Sequence, residues 1–326
     1  MIDKANPIEP VVFRRGVASN RGDQVPRRFL QVLSEVDGGK TFQKGSGRLE
    51  LARAIADPAN PLTARVIVNR IWQHHFGEGL VRSSSDFGTR GEPPTHPELL
   101  DYLAAQFIED GWSIKRLQRR IMLSSTWQQS SERRIDAVEV DPENRLLWHM
   151  PRRRMEFEPL RDRLLYVAGR LDNHIGGRSV MIHKDATRRA LYAFIDREDL
   201  PGLLASFDLP SPDASQAKRA ETTVPQQALF LMNSEFVIRQ AKALAARGSK
   251  DESPSNSGDD DEKRVRRLYQ FAYARDPDGG EIRAALAFVR PSDSVSTRDN
   301  KEDISIDRWV QLAQVLLLSN EFAFVD

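Results

Sequence analysis

The amino-acid sequence predicts a mainly α fold, a multi-helix assembly with a small β hairpin and two disordered loops. Through most of the chain, apolar residues recur every three or four positions, which is typical of amphipathic helices. Strand-like alternation is clear only in 188–196, which we pair with 179–183 in a hairpin. Two polar segments, 248–263 and 291–303, bury too little apolar surface to fold and are predicted to be disordered.

Composition excludes several classes of site. The chain has 326 residues and a formal net charge of +1, so no overall field attracts it to nucleic acid or to an anionic membrane. It contains no cysteine, which excludes disulfides, thiolate metal sites, a cysteine nucleophile and CxxCH haem attachment in this chain. We find no apolar run long enough to span a bilayer, and the start of the chain lacks the features of a signal peptide.

The chain divides into an entry segment and one large domain. Residues 1–46 are rich in loop-forming residues, and we expect them to lie extended over a neighbouring surface. Residues 47–326 are predicted to form a single helical domain, with a helical core at 47–176, the hairpin at 178–197 and C-terminal helices at 222–326. Two short sequences, 227–236 and 314–322, echo each other, but two copies are too few for a solenoid.

Helix starts are marked by capping residues. Asn60 followed by Pro61 predicts an N-cap and a first helical position. Thr95 with Glu98 predicts a capping box, and Ser113 predicts a third N-cap.

The densest cluster of chemically capable side chains lies in residues 60–101. His74 and His75 fall near the end of an apolar helix, where adjacent side chains point about 100° apart, so at most one of them could be a metal ligand. Asp86, Arg90 and His96 follow in a loop and the helix start after it.

These residues admit two interpretations. If the loop folds back, His75, Asp86 and His96 could converge as a divalent-metal site or as an acid and base pair, which makes them the candidate catalytic or metal residues. Alternatively, one histidine packs or caps while DFGTRGE is a structural turn in which Asp86 accepts backbone or arginine hydrogen bonds. DFG is no kinase motif here, because the other kinase elements are missing.

Clustered arginines predict anion binding. Arg90, Arg153 and Arg154 are the candidates, because guanidinium forks match sulfate, phosphate and carboxylate oxygens. The opposing interpretations are solvated helix faces and a structural network such as Arg70 with Asp86 or Glu156. Further basic residues that could join an anion site are Arg152, Lys115, Arg116, Arg119 and Arg120, with Trp148 beside Arg152 to Arg154.

Several long motifs carry a resemblance to a known family. They are NPLTARVIVNRIWQHHFGEGLV, DFGTRGEPPTHPELLD, DPENRLLWHMPRRRMEFEPLRD, TTVPQQALFLMNSEFV, YARDPDGGE and LLLSNEFAFVD. With them, the chain from about Val11 closely resembles the planctomycete PSD domain, catalogued as domain of unknown function 1553. That family usually forms the C-terminal part of larger exported proteins, behind a second uncharacterised domain and often a cytochrome c domain.

The resemblance implies a setting rather than a reaction. It implies an extracytoplasmic, cytochrome-linked or polysaccharide-linked accessory module, with other domains or subunits of an exported complex and an anionic glycan as partners. It supplies no catalytic residues and no cofactor, and nucleic acid is disfavoured by the charge. A metal-dependent hydrolase or oxidoreductase using His75, Asp86 and His96 is the alternative. Because the chain begins at Met1 without a signal peptide, we expect a split gene or a truncated chain, which leaves a cytoplasmic location open.

Overall fold

The structure is a computed structural model that describes residues 3, 7–34, 39–182, 186–249, 258–290 and 307–325. These residues cluster into two units, Met1–Pro151 and Arg152–Asp326. Both units are mainly helical, and the sheets in the described ranges are two-stranded, which confirms the predicted fold class. Within the same ranges, no helix has the length and apolar character needed to cross a membrane. The single domain expected over 47–326 stays a prediction.

The first unit begins with an N-terminal arm, residues 7–34 and 39–46. Strands β1 (Val11–Phe13) and β2 (Arg21–Gln24) pair antiparallel within it. The entry segment, which we expected to be extended, therefore contains a β hairpin of its own. Arg27 bonds Glu9 and the carbonyl of Gly45, which ties the arm to itself. The helices that follow are α1 (Arg48–Ile55), α2 (Thr63–Phe76), α3 (Pro97–Glu109), α4 (Ile114–Met122) and α5 (Ile135–Val140).

The core of the first unit forms between α2, α3 and α4. The apolar faces of these helices follow from their three- and four-residue spacing, and Trp72 stacks on Phe76 at 4.3 Å between ring centroids. Ser113 caps α4 as predicted, because its side chain accepts the Arg116 N–H at 3.4 Å. The residues buried in this core are Ala64, Val68, Trp72, Phe76, Leu80, Val81, Leu100, Leu103, Ala104, Phe107, Leu117, Ile121 and Met150.

The second unit packs its main core around α9 (Glu235–Gly248) and α12 (Arg308–Leu318), from which Val237, Leu244 and Ala313 are fully buried. The short strands β3 (Arg153–Arg154) and β4 (Phe324–Val325) pair antiparallel, with Arg153 opposite Val325 and Arg154 opposite Phe324. Its elements are β3 (Arg153–Arg154), α6 (Phe157–Val167), α7 (Gly202–Ser206), α8 (Pro225–Asn233), α9 (Glu235–Gly248), α10 (Gly258–Tyr273), α11 (Gly279–Val289), α12 (Arg308–Leu318), α13 (Asn320–Ala323) and β4 (Phe324–Val325).

The echo in the sequence has a structural counterpart. The backbone becomes extended at Ser234, which ends α8 and caps α9 by accepting the Val237 N–H. Ser319 does the same between α12 and α13, where it accepts the Phe322 N–H. Each copy of the echo therefore encodes a helix break with a serine N-cap.

The segment 178–197 differs from the predicted hairpin. Val180 and Ala193 form an isolated parallel bridge, and residues 190–192 are a 3-10 turn. The reason is that side chains hold this backbone, since the Arg188 guanidinium donates to several loop carbonyls and stacks on Tyr192 with its central carbon 4.0 Å from the ring centroid. Two backbone hydrogen bonds join the segments, from the Val180 N–H to the Tyr192 carbonyl and from the Phe194 N–H to the Val180 carbonyl, and side-chain hydrogen bonds take the place of a longer ladder.

The two predicted loops fall mostly outside the described residues, as does His183. Residues 291–303 are outside them altogether. In 248–263, Gly248 belongs to α9 and residues 258–263 open α10, so the loop is shorter than predicted at both ends.

The Tyr273 hydroxyl should make the stability of the second unit depend on pH in the alkaline range. Tyr273 donates to the Leu316 carbonyl at 3.0 Å and lies 2.8 Å from the Ser319 hydroxyl, and burial raises its pKa to about 12. A phenol whose folded pKa exceeds its ordinary value of about 10 stabilises the fold below about pH 10, and that stability is lost as pH rises through about 12.

We therefore expect the unfolding free energy of the wild type to fall more steeply between these pH values than that of Tyr273→Phe. Urea titrations at each pH measure this slope, with Tyr166→Phe, a change at an exposed tyrosine, as the control. Equal slopes for the wild type and Tyr273→Phe would contradict the assignment.

Candidate functional site

A buried amide on α2 holds the loop that carries Asp86. Asn69 is 0% exposed, and its side chain pairs with both backbone groups of one loop residue: Oδ1 accepts the Val81 N–H at 2.8 Å and Nδ2 donates to the Val81 carbonyl at 2.9 Å. A Cβ on Gly79 would come within 2.6 Å of Asn69 Nδ2, so only glycine allows this approach. These two hydrogen bonds satisfy buried backbone groups of the loop, which lie outside any helix.

A second bond fixes the same loop one turn further along α2. Ser84 donates to Gln73 Oε1 at 2.5 Å, and Gln73 lies four residues after Asn69 on the same helix face. At the far end of the loop, the Thr95 N–H donates to the Leu80 carbonyl at 2.9 Å. The loop is thereby anchored at both ends.

Asp86 has a structural role in this loop. Its Oδ1 accepts the Gly88 N–H at 2.9 Å, and its own carbonyl accepts the Ser83 hydroxyl at 2.8 Å. A Cβ on Gly91 would come within 2.1 Å of the Asp86 carbonyl, so the turn is closed by a glycine. Of the two interpretations of DFGTRGE, this geometry is that of the structural turn.

The two candidate histidines are also engaged locally. His75 Nδ1 donates to the Ile71 carbonyl at 2.8 Å, and its ring meets Trp127 edge-on at 5.2 Å between centroids. His96 is the residue before α3 and bonds the Thr95 hydroxyl at 2.9 Å. No side-chain cap bond forms at α3, so the capping box predicted for Thr95 and Glu98 is wrong.

The other predicted helix start is displaced as well. The α2 helix begins at Thr63, because Asn60 serves both sides of the turn before it: Oδ1 accepts the Leu62 N–H at 3.0 Å and Nδ2 donates to the Ile55 carbonyl at 3.1 Å. Asn60 therefore ends α1 and closes the turn instead of capping α2.

The structure does not bring His75, Asp86 and His96 together as a metal site. Across the described residues, no group of three or more His, Cys, Asp or Glu side chains could hold a metal ion. A cavity of about 460 Å³ lies beside the loop, but its wall is mainly proline, glycine and apolar residues with the Arg65 and Asp101 ion pair, and none of the three candidates lines it.

The predicted anion-binding residues fall into the two separate units. Arg90 is exposed in the first unit. Arg153 and Arg154 form β3 of the second unit, where Arg153 lies 3.8 Å from Glu221 and Arg154 donates to Gln227 at 2.7 Å. Other basic residues are already paired, since Arg116 and Arg120 both meet Asp110.

The arginine network was predicted at the wrong residue. Arg70 is exposed, whereas Arg161 is only 1% exposed and donates to the Ala186 and Arg188 carbonyls. Burial lowers the pKa of Arg161, and the adjacent Asp162 opposes that effect. Helical periodicity places Arg161 on the apolar face of α6, which is the one sequence signal that marks it.

The second unit also has a wide cleft, whose charged side chains contact neighbouring residues. Its volume is about 730 Å³, and its wall is largely apolar. Asp162 in this wall accepts the Ala190 N–H at 2.7 Å, and Glu158 pairs with Arg219 at 2.9 Å. Arg163 donates to the Phe322 and Ala272 carbonyls. Asp162 and Arg163 therefore hold backbone groups, and Glu158 is in an ion pair.

A smaller pocket in the second unit joins segments that are far apart in sequence. The cavity has a volume of about 230 Å³ and lies where β3 meets β4, the turn at 207–208, and residues 219–227. We call it the Arg154 pocket. Its wall includes Arg152, Arg154, Glu156, Asp208, Glu221, Thr223 and Phe324. Sequence analysis found Arg154 but not its surroundings.

The Asn69 contact generates a stability prediction. Asn69→Ala leaves the Val81 N–H buried without its partner and the Val81 carbonyl with the Ser84 hydroxyl at 3.4 Å, which should cost about 2–5 kcal/mol of unfolding free energy. Asn69→Asp keeps an acceptor but sets a carboxylate against the Val81 carbonyl. Burial and this repulsion raise the pKa of the new carboxyl, so its stability is greatest below the ordinary Asp pKa of about 3.9 and is lost as pH rises.

Chemical denaturation at neutral and acidic pH checks both variants against the wild type. Asn69→Asp should lie closer to the wild type in acid than at neutral pH. A matched control is Gln106→Ala, which removes an exposed amide on α3. If Asn69→Ala destabilised the protein no more than this control, the proposed anchor would be wrong.

Comparison with known proteins gives a family and no further relatives. No curated protein and no solved structure matches the chain. One family does match, over residues 47–289, which is more than half of the chain, and it is described as a protein of unknown function (DUF1553). The resemblance drawn from the motifs is thereby confirmed. The chain belongs to the DUF1553 family.

Proposed function

We propose that this chain is a non-catalytic interaction module of an extracytoplasmic multidomain assembly, and that its N-terminal arm docks on another protein domain of that assembly. The observation that carries the proposal is the exposure of apolar side chains along the arm. The setting, with cytochrome-linked or polysaccharide-linked partners, is taken from the family resemblance and is part of the proposal.

The arm has almost no core of its own. None of residues 7–34 is buried, and six of their large apolar side chains are exposed, Val32 to 87%. Hydrogen bonds of β1 with β2 and the Arg27 to Glu9 ion pair define the shape of the arm. Several exposed apolar side chains on one short segment favour an interaction site, since exposed apolar surface marks such sites. The exposed apolar residues of the arm are Ile8, Val12, Phe13, Val17, Leu30 and Val32.

The positive charge of the arm indicates the charge expected on its partner. Residues 7–34 carry five arginines against two carboxylates, of which Glu9 already pairs with Arg27. A complementary surface is therefore apolar with an acidic rim. The arm lies before the residues that match the family model, 47–289.

The alternative, a metal-dependent hydrolase or oxidoreductase at His75, Asp86 and His96, has no observation in its favour. Each of the three side chains makes a local hydrogen bond that shapes a helix end or a turn. The interaction module is favoured because it uses surface that the fold leaves exposed.

Polar substitution of the arm tests the proposal. We expect Ile8→Ser, Phe13→Ser and Val32→Ser together to change the unfolding free energy by no more than about 0.5 kcal/mol per site, because these side chains pack against little. In envelope extracts of the source organism, the wild type should sediment in a large complex and the triple variant should sediment free.

The matched control changes exposed apolar residues elsewhere. Ile135, which is 82% exposed, and Val140 lie on α5, and their replacement by serine should leave the complex intact. The proposal fails if the arm variant stays in the complex or if the control variant leaves it too. It also fails if purified wild type dimerises through the arm, since the partner would then be a second copy.

A further inference from the structure

We propose that the Arg154 pocket binds the carboxylate of a small hydroxylated acid, a uronic acid unit of an acidic glycan. This inference goes beyond the proposed function and rests on a different unit of the chain from the arm. It depends on the charge of Arg154, on the hydrogen-bond acceptors around it, and on the size of the cavity.

Some charged groups in the pocket wall already have partners. Arg219 lies 3.0 Å from Glu156 and 2.9 Å from Glu158, and it also donates to the Phe207 and Asp208 carbonyls. The Asp208 carboxylate accepts the N–H and the hydroxyl of Thr222. Neither Arg219 nor Asp208 therefore needs a ligand.

Arg154 is the exception. Its side-chain partner among the described residues is the neutral amide of Gln227, whose Oε1 accepts from Nη1 at 2.7 Å. Gln227 is 2% exposed, and its Nε2 donates to the Ser206 carbonyl at 2.9 Å, so its orientation is fixed. Gln227 thus orients the Arg154 guanidinium without neutralising its charge. The remaining N–H groups of Arg154 form a fork that matches a carboxylate.

The surroundings of Arg154 favour a single negative charge accompanied by hydroxyl groups. Three carboxylates, of Glu156, Asp208 and Glu221, line the same cavity as three guanidinium groups, of Arg152, Arg154 and Arg219. Because these formal charges balance, the cavity has no excess of positive charge for a dianion, and its carboxylates can accept hydrogen bonds from hydroxyls. A phosphate ester carries about −1.5 to −2 charges at neutral pH and is disfavoured here. Thr223 is exposed at the mouth of the pocket and offers one more hydroxyl partner.

Shape agrees with a sugar acid. Phe324 pairs directly with Arg154 across β3 and β4, so the two side chains lie on the same face, and its partly exposed ring offers an apolar surface to the C–H groups of a sugar. The volume of about 230 Å³ is below the roughly 300–1,000 Å³ of pockets that hold drug-sized ligands. It suits one small charged unit.

Calorimetric titration of the whole chain tests the site with defined probes: glucuronate, glucose, inorganic sulfate and inorganic phosphate. We expect saturable binding of glucuronate that weakens as salt is added, no binding of glucose, and weaker binding of both inorganic anions. Arg154→Gln should weaken glucuronate binding by about tenfold or more, because charge-assisted hydrogen bonds are lost.

Two further variants make the result decisive. Arg178→Gln removes an exposed arginine of the same unit outside the pocket and should leave affinity unchanged. If Arg154→Gln does not fold, Thr223→Ala decides instead, and it should weaken glucuronate binding several-fold. The inference is overturned if glucuronate does not saturate, if glucose binds equally, if phosphate or sulfate binds more tightly, or if Arg178→Gln has the same effect as Arg154→Gln. Because the arm takes no part, the docking proposal stands or falls separately.

Discussion

Buried loop backbone must find hydrogen-bond partners, and in both units helix side chains supply them. The Asn69 amide pairs with both backbone groups of Val81 in the first unit. In the second unit the guanidinium groups of Arg161 and Arg163, both on α6, donate to carbonyls of segments distant in sequence. Leaving such backbone groups unpaired costs more than the bond contributes, so these few side chains decide where the loops lie.

This constraint accounts for the local hydrogen bonds of the candidate catalytic residues. Asp86, His75 and His96 each satisfy a backbone group or a neighbouring hydroxyl, and the same holds for Asp162 in the apolar cleft. Arg154 departs from the pattern, because its partner is a neutral amide. We therefore propose functions for two other surfaces, the apolar arm and the Arg154 pocket.

Sequence periodicity predicts the helices because their burial is local in origin. The faces of α3 and α4 and the Ser113 cap follow from spacing alone. Residues 178–197 do not, because their backbone bonds to Arg188 and Asp162 side chains, whose positions depend on the fold. In the candidate site, spacing marks Arg154 but gives no sign of Gln227, which lies 73 positions away. Long-range polar contacts carry no local pattern.

Amide hydrogen exchange at Val81 tests the central claim most directly. If the Asn69 side chain anchors the loop, the Val81 N–H should exchange as slowly as the buried amides of α2, although it lies outside any helix. The Gly88 N–H, which bonds the Asp86 carboxylate in an exposed turn, should exchange orders of magnitude faster. Exchange of Val81 at the rate of Gly88 would contradict the account.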